Sequence, residues 1–167
     1  LVIIWPILLI MTLWLHFANR GAGAFFTQER PGQYGKIFKV IKFKTMTDER
    51  DENGDLLPDE KRLTKIGKFI RSTSVDELPQ LWNVFCGDMA FIGPRPERQF
   101  FIDQIMKEDP RYRFLFQIRP GVTSYATLYN GYTDTLEKMV RRLRYDLFYL
   151  EHRSWGFDFK ILFMTFM

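Results

Sequence analysis

Residues 71–85 read RSTSVDELPQLWNVF, and the reading of this stretch decides the rest of the fold. Ser74 and Glu77 have the spacing of a capping box, in which each side chain satisfies the other's free backbone N–H. Leu78, Leu81, Trp82 and Phe85 then recur on one helical face and predict a core-facing stripe. Pro79 is tolerated only near a helix start, which agrees with that placement. Asp76 and Glu77 therefore fall in a predicted first turn, where free N–H groups and the positive end of the helix dipole favour anions. A phosphate could bind there with Asp76 ionised beside it. Acids in a first turn are also common without any ligand, so the pattern alone leaves both readings open.

Working upstream, Leu63–Arg71 predicts a short helix with Ile66, Phe69 and Ile70 on one side. Asp48–Lys61 reads as an acidic loop, with Asn53-Gly54 and Pro58 as turn signals. Lys36–Met46 (KIFKVIKFKTM) alternates Ile37, Val40 or Ile41, and Phe43 with Lys36, Lys39, Lys42 and Lys44. That predicts a strand or hairpin with one lysine-rich face.

Downstream, Gly87-Asp88-Met89 ends the predicted helix. In Pro94-Arg95-Pro96 two prolines stiffen the backbone around one guanidinium, a fixed fork suited to bidentate phosphate binding. Arg119-Pro120-Gly121 predicts another positive charge beside a tight turn. Leu136–Leu150 predicts a basic amphipathic helix carrying Arg141, Arg142 and Arg144. Trp155–Met167 has only Asp158 and Lys160 charged and suits either a core or a membrane surface.

Length and composition bound these readings. The 167 residues suffice for one domain with its own core, and 46% apolar residues exclude a disordered chain. Aromatics reach 17%, more apolar surface than one soluble core of this size needs. One cysteine, Cys86, excludes an internal disulfide, and with two histidines it argues against structural zinc. Net charge is +4, but Asp48–Lys61 alone carries seven acids and two bases. A basic body with one acidic excursion suits a phosphate-bearing partner. The basic residues are scattered rather than clustered, which speaks against a nucleic-acid partner.

Residues 1–19 carry no Lys, Arg, Asp or Glu. The apolar run Leu1–Leu15, with only Thr12 polar, is shorter than the roughly 20 residues of a spanning helix. The run begins mid-pattern, so upstream residues are expected to complete it. Pro6 should bend or break a helix here. A clipped spanning helix, a re-entrant hairpin and a buried helix all fit, whereas a signal peptide lacks its basic start. Trp5, Trp14 and His16 suit a membrane interface, with Asn19 and Arg20 in water.

Taken in order, these segments resemble the bacterial sugar transferase family, the monotopic polyprenyl-phosphate phosphoglycosyl transferases. The matching pieces are FFTQER (25–30), KFKTM (42–46), Leu63 to Pro79 with its Asp-Glu-Leu-Pro, QLWNV (80–84), GDM (87–89), GPRPE (93–97), RPGVT (119–123) and YDL (145–147). They run collinearly over nearly the whole chain. The resemblance implies transfer of a phosphosugar from a UDP-sugar to a polyprenyl phosphate, usually undecaprenyl phosphate, with release of UMP. It implies Mg2+ and a covalent intermediate on an Asp-Glu pair, here Asp76 as nucleophile and Glu77 as its assistant, with both as candidate metal ligands. Arg71, Lys42, Arg95 with Pro94, and Arg119 are the implied substrate-binding residues, Arg95 as the uridine-nucleotide contact.

The implied fold is α+β, mainly short helices with a small β-hairpin. It joins a Pro-broken re-entrant membrane helix (1–20), marked by Trp5 and Pro6, to a catalytic domain (21–167) with interfacial amphipathic helices. The implied location is the cytoplasmic face of the bacterial inner membrane, among membrane lipids. Three departures stand out. Trp5 replaces a usual Ser, residues 123–127 (TSYAT) replace a Gly-Trp-x-Gln pattern, and YNGY (129–132) lacks the Arg of a usual Asn-Gly-Arg. The last two fall where sugar selectivity is expected. A rival reading is a non-enzymatic basic protein that docks on anionic membrane surfaces.

Overall fold

A computed structural model describes residues 5–19, 22–131, 133 and 135–165. The elements in chain order are α1 (Trp5–Ala18), β1 (Phe25–Pro31), β2 (Ile37–Phe43), α2 (Asp59–Arg62), α3 (Lys65–Ser72), α4 (Gln80–Phe85) and β3 (Ala90–Ile92). They continue as α5 (Gln99–Glu108), β4 (Gly121–Thr123), α6 (Tyr125–Asn130), α7 (Leu136–His152) and α8 (Trp155–Thr165). Single 3-10 segments cover Gln33–Gly35, Val75–Glu77 and Pro110–Gln117. This is the expected α+β composition of short helices with a small β-hairpin, to which an unexpected second two-stranded sheet is added. The chain divides into two compact units, Leu1–Gln28 with Val40–Trp82, and Glu29–Lys39 with Asn83–Met167.

The expected hairpin is present: β1 pairs with β2, and the Gly32 N–H donates to the Lys36 carbonyl (2.8 Å) across the connection. Phe38 and Val40 are buried on one parity of β2, and Phe43, followed beyond the strand by Thr45 and Thr47, on the other. The inward face therefore switches between Val40 and Phe43. Lys42 and Lys44 are left partly buried rather than on a solvated face.

In the first unit, α1 is a continuous 14-residue helix, about 21 Å long. Pro6 lies in its first turn, where the missing N–H has no helical partner to lose. Residues 1–4, where a Pro6 break would have to show, and Arg20 lie outside the described residues. No described helix is long and apolar enough to cross a membrane. Leu15 is fully buried with Ala24, Phe43 and Ile70, and Leu8, Met11, Ile66 and Val75 pack against them. Asn19 is buried, not in water as expected, because its Nδ2 donates to the carbonyls of Gly23 (3.0 Å) and Lys44 (2.7 Å). The opposite side of α1 exposes Trp5, Ile10, Leu13 and Phe17.

The helix expected over Leu63–Arg71 starts later, since Leu63 bridges to Met46 and Thr64 caps α3 by accepting from the Gly67 N–H (2.9 Å). Gly67 is required there: a Cβ would stand 2.0 Å from the Thr45 carbonyl oxygen.

In the second unit, α5, the Pro110–Gln117 segment and α7 enclose Ile102, Ile105, Tyr112, Leu115, Met139 and Leu143. β3 and β4 form a parallel pair with Ala90 opposite Gly121 and Ile92 opposite Thr123. At the end of this pair the backbones of Gly93 and Gly121 meet so closely that a Cβ on Gly121 would lie 2.1 Å from the Gly93 nitrogen. Arg119-Pro120 accordingly runs into a strand and does not form the tight turn expected from sequence. Tyr125 stacks on Phe148 and meets Tyr145 edge-on and Phe157 at a tilt, joining α6, α7 and α8. Outward from α8 point Trp155, Phe159 and Phe163, spaced four residues apart, while Ile161 is buried.

Candidate active site

The predicted capping box is not made. Ser74 adopts a left-handed conformation (φ 56°) with no side-chain cap, and Val75–Glu77 form one 3-10 turn. Only the Ser74 carbonyl takes part, accepting from the Glu77 N–H (3.1 Å). The expected apolar stripe is also turned. Gln80 and Asn83 are buried, whereas Trp82 and Phe85 are exposed. Asn83 Nδ2 donates to the Lys39 carbonyl (2.8 Å), which makes a buried amide tolerable.

What the turn does is hold Asp76 and Glu77 half-buried. Glu77 Oε1 accepts from Lys42 Nζ at 2.7 Å, linking the turn to β2. Arg71 comes from the end of α3, and its Nε donates to Thr45 Oγ1 (2.9 Å). Burial pushes the Asp76 carboxyl above its ordinary range and the Glu77 charge adds to this, while Lys42 and Arg71 act in the opposite direction. Four residues singled out from sequence, Lys42, Arg71, Asp76 and Glu77, thus form one electrostatic cluster. Its carboxylate is partly stripped of water yet flanked by cations, which suits a nucleophile toward phosphorus.

Pro94, Arg95 and Arg119 belong to the second unit. The Pro94 carbonyl accepts from the Gly121 N–H (2.9 Å), and the Gly93 N–H donates to the Thr123 carbonyl (3.1 Å). The segments bearing Arg95 and Arg119 therefore run side by side. Arg119 is exposed and lines a cavity of about 470 Å³ with Ile92, Tyr149, Arg153 and Asp158. There the Tyr149 hydroxyl donates to Asp158 (2.7 Å). Trp5 and Pro6 stand at the start of α1 and take no part in the carboxylate cluster.

Sequence reasoning missed a second group. Arg142 was expected on the charged outer face of a basic helix. It is buried instead, with Nη1 donating to Glu97 Oε1 (2.9 Å) and Nη2 to the Gly131 carbonyl (3.3 Å). Asp146, one turn further along α7, is fully enclosed, and burial pushes its carboxyl up to about 7 despite the Arg142 charge. The available signal was the i, i+4 spacing of Arg142 and Asp146 on a helix whose positions 139, 143 and 149 are apolar.

Among the described residues no three His, Cys, Asp or Glu side chains converge as a metal cage. Two adjacent carboxylates are nevertheless a fitting donor set for Mg2+, which takes one or two protein carboxylates and completes its shell with water and substrate phosphates. Asp76 and Glu77 are the residues that would hold it.

A family model for bacterial sugar transferases matches residues 1–167. The chain is 43% identical to "Uncharacterized sugar transferase EpsL" of Bacillus subtilis (strain 168), across 87% of this chain and 69% of that protein. It is 40% identical to the UDP-glucose:undecaprenyl-phosphate glucose-1-phosphate transferase of Klebsiella pneumoniae, across 99% of this chain and 36% of that protein. It is 35% identical to the UDP-N-acetylgalactosamine-undecaprenyl-phosphate N-acetylgalactosaminephosphotransferase of Aeromonas hydrophila, across 84% of this chain and 34% of that protein. The chain spans about a third of the length of these last two relatives.

Proposed function

The chain belongs to the bacterial sugar transferase family, whose model matches it over residues 1–167, and from that membership we propose that it transfers a phosphosugar from a UDP-sugar to undecaprenyl phosphate, releasing UMP. The observation that carries this reading is the half-buried Asp76 carboxylate beside Glu77, with the Lys42 and Arg71 charges acting on it.

An Asp76 oxygen attacks the β-phosphorus of the UDP-sugar. The bond from that phosphorus to the bridging oxygen breaks, and UMP leaves with the oxygen and its electron pair. The phosphosugar is then carried on Asp76 as an acyl phosphate. An oxygen of the lipid phosphate attacks the same phosphorus, the Asp76 oxygen–phosphorus bond breaks, and the carboxylate is regenerated. The product is a polyprenyl diphosphate sugar.

A carboxylate approaching a pyrophosphate meets repulsion, which Lys42 and Arg71 offset in a site where charges interact strongly. When bound at Asp76 and Glu77, Mg2+ supplies further neutralisation of the phosphate oxygens. Glu77 assists, as a base toward the acceptor or as a metal ligand, with Lys42 fixing its position. Arg95, stiffened by its flanking prolines, contacts the nucleotide, and Arg119 carries a further charge for phosphate. The exposed apolar side of α1 belongs to a re-entrant element that seats the catalytic body on the cytoplasmic face of the inner membrane, where soluble donor and lipid acceptor meet. The sugar is set by residues outside the carboxylate cluster.

The test is UMP release from a panel of UDP-sugars, with undecaprenyl phosphate and Mg2+ in detergent or nanodiscs. One sugar should yield UMP, and Asp76→Asn should lower the rate by about a thousand-fold or more. Undiminished turnover in Asp76→Asn would remove the aspartyl intermediate. Membrane binding without UMP from any donor would favour a surface-docking protein.

A further inference from the structure

We propose that Arg142 is a positioning residue for nucleotide binding, gripping Glu97 so that the Pro94-Arg95-Pro96 backbone, from which the Arg95 side chain extends, is held in one place. The proposal rests on the reading of Arg95 as the nucleotide contact and names the device that sets its geometry.

The segment is held at both ends. At its start, the Pro94 carbonyl is bonded to the Gly121 N–H (2.9 Å), where the close approach of Gly93 and Gly121 excludes any side chain. At its end, Glu97 follows Pro96 directly and accepts from Arg142 Nη1 (2.9 Å). The two side chains of this pair are only 9% and 15% exposed, so water screens it weakly. Arg142 is itself fixed by its second bond, to the Gly131 carbonyl (3.3 Å).

Two prolines restrict the φ angles between the anchors. Restraint at both ends then removes most of the remaining backbone freedom at Arg95, so less conformational entropy is left to lose when nucleotide binds. A buried ion pair is a poor source of net stability, because desolvation offsets most of the attraction. Its placement directly behind Arg95 gives this one a specific use. Arg30 and Arg98 also act electrostatically within this cluster, Arg30 facing both Glu97 and Arg95.

The experiment measures UMP binding by calorimetry on the full chain in detergent, without turnover, alongside amide hydrogen exchange over residues 93–98. Glu97→Gln keeps an acceptor oxygen but loses the charge, and should weaken UMP about ten-fold, the cost of weakening one charge-assisted bond. Exchange over 93–98 should speed up, while the core amides of α5 and α7 stay protected. In steady state the KM for UDP-sugar should rise with kcat and the KM for the lipid phosphate unchanged. Glu97→Asp retains the charge at shorter reach and should recover part of the affinity, which also covers a Gln variant that folds poorly. If Arg95→Gln weakens UMP but Glu97→Gln and Glu97→Asp both bind it like the parent, the positioning role is overturned. If the parent protein, or Arg95→Gln, shows no Arg95-dependent UMP binding, the nucleotide role of Arg95 fails first and takes this proposal with it.

Discussion

Asp76 is subject to opposed forces, and their balance predicts a pH profile. Burial is the largest influence and favours the protonated acid, while Lys42 is the largest one favouring the carboxylate. Because the attacking species is the carboxylate, activity should fall on the acid side, at a pH above that of an ordinary aspartate. Lys42→Met removes the principal cation and raises the Asp76 pKa further. The acid limb of kcat against pH should therefore move to higher pH, and kcat at the optimum should fall about ten- to a hundred-fold. A limb that stays in place would mean another group titrates there. Asp76 and Glu77 were legible as adjacent acids. Lys42 was singled out by the family resemblance, whereas the strand pattern alone, shared by Lys36, Lys39 and Lys44, does not distinguish it. The inward switch of β2 after Val40 brings Lys42 onto Glu77, and a period-two reading contains no such switch.

At the scale of elements, Thr64 and Ser74 make a matched comparison. Both precede a helical segment, and Ser74 alone read as a cap. Thr64 Oγ1 accepts from the Gly67 N–H, whereas the left-handed Ser74 turns its hydroxyl out of the cap. Thr64→Ala should cost about 1 kcal/mol of stability, and Ser74→Ala should stay within about 0.5 kcal/mol, measured from urea midpoints. A Ser74→Ala cost equal to that of Thr64→Ala would restore the capping box. Helices α3 and α7 were legible because their apolar positions recur at helical spacing. The face of α4 was not, because its inward residues are Gln80 and Asn83, which a hydrophobic pattern does not mark, the Asn83 amide being bonded to the Lys39 carbonyl. The β3–β4 pair was invisible, since three-residue strands are too short to show a period and their pairing spans a crossover through α5.

At the scale of the whole molecule, Asp146 ties stability to pH. Its folded carboxyl is pushed up to about 7, above the ordinary value near 4. The folded protein therefore holds a proton between these values that the unfolded chain releases. The Asp146 contribution is full below about pH 4 and is lost as pH rises through about 7. Asp146→Asn cannot titrate, so the fall in melting temperature between about pH 5 and pH 8 should be shallower than in the parent. Parallel curves would place the proton elsewhere. The sequence by itself determined the family, the adjacent acids, the stiffened Arg95 and the apolar N-terminal helix, because each is written in residues close together along the chain. Only the tertiary structure decided which charges meet. Lys42 and Glu77 lie 35 positions apart, and Glu97 and Arg142 lie 45 apart. Such pairs form because packing sets one candidate against its partner and its chemical equals elsewhere, and that placement is a property of the folded chain rather than of any stretch of it.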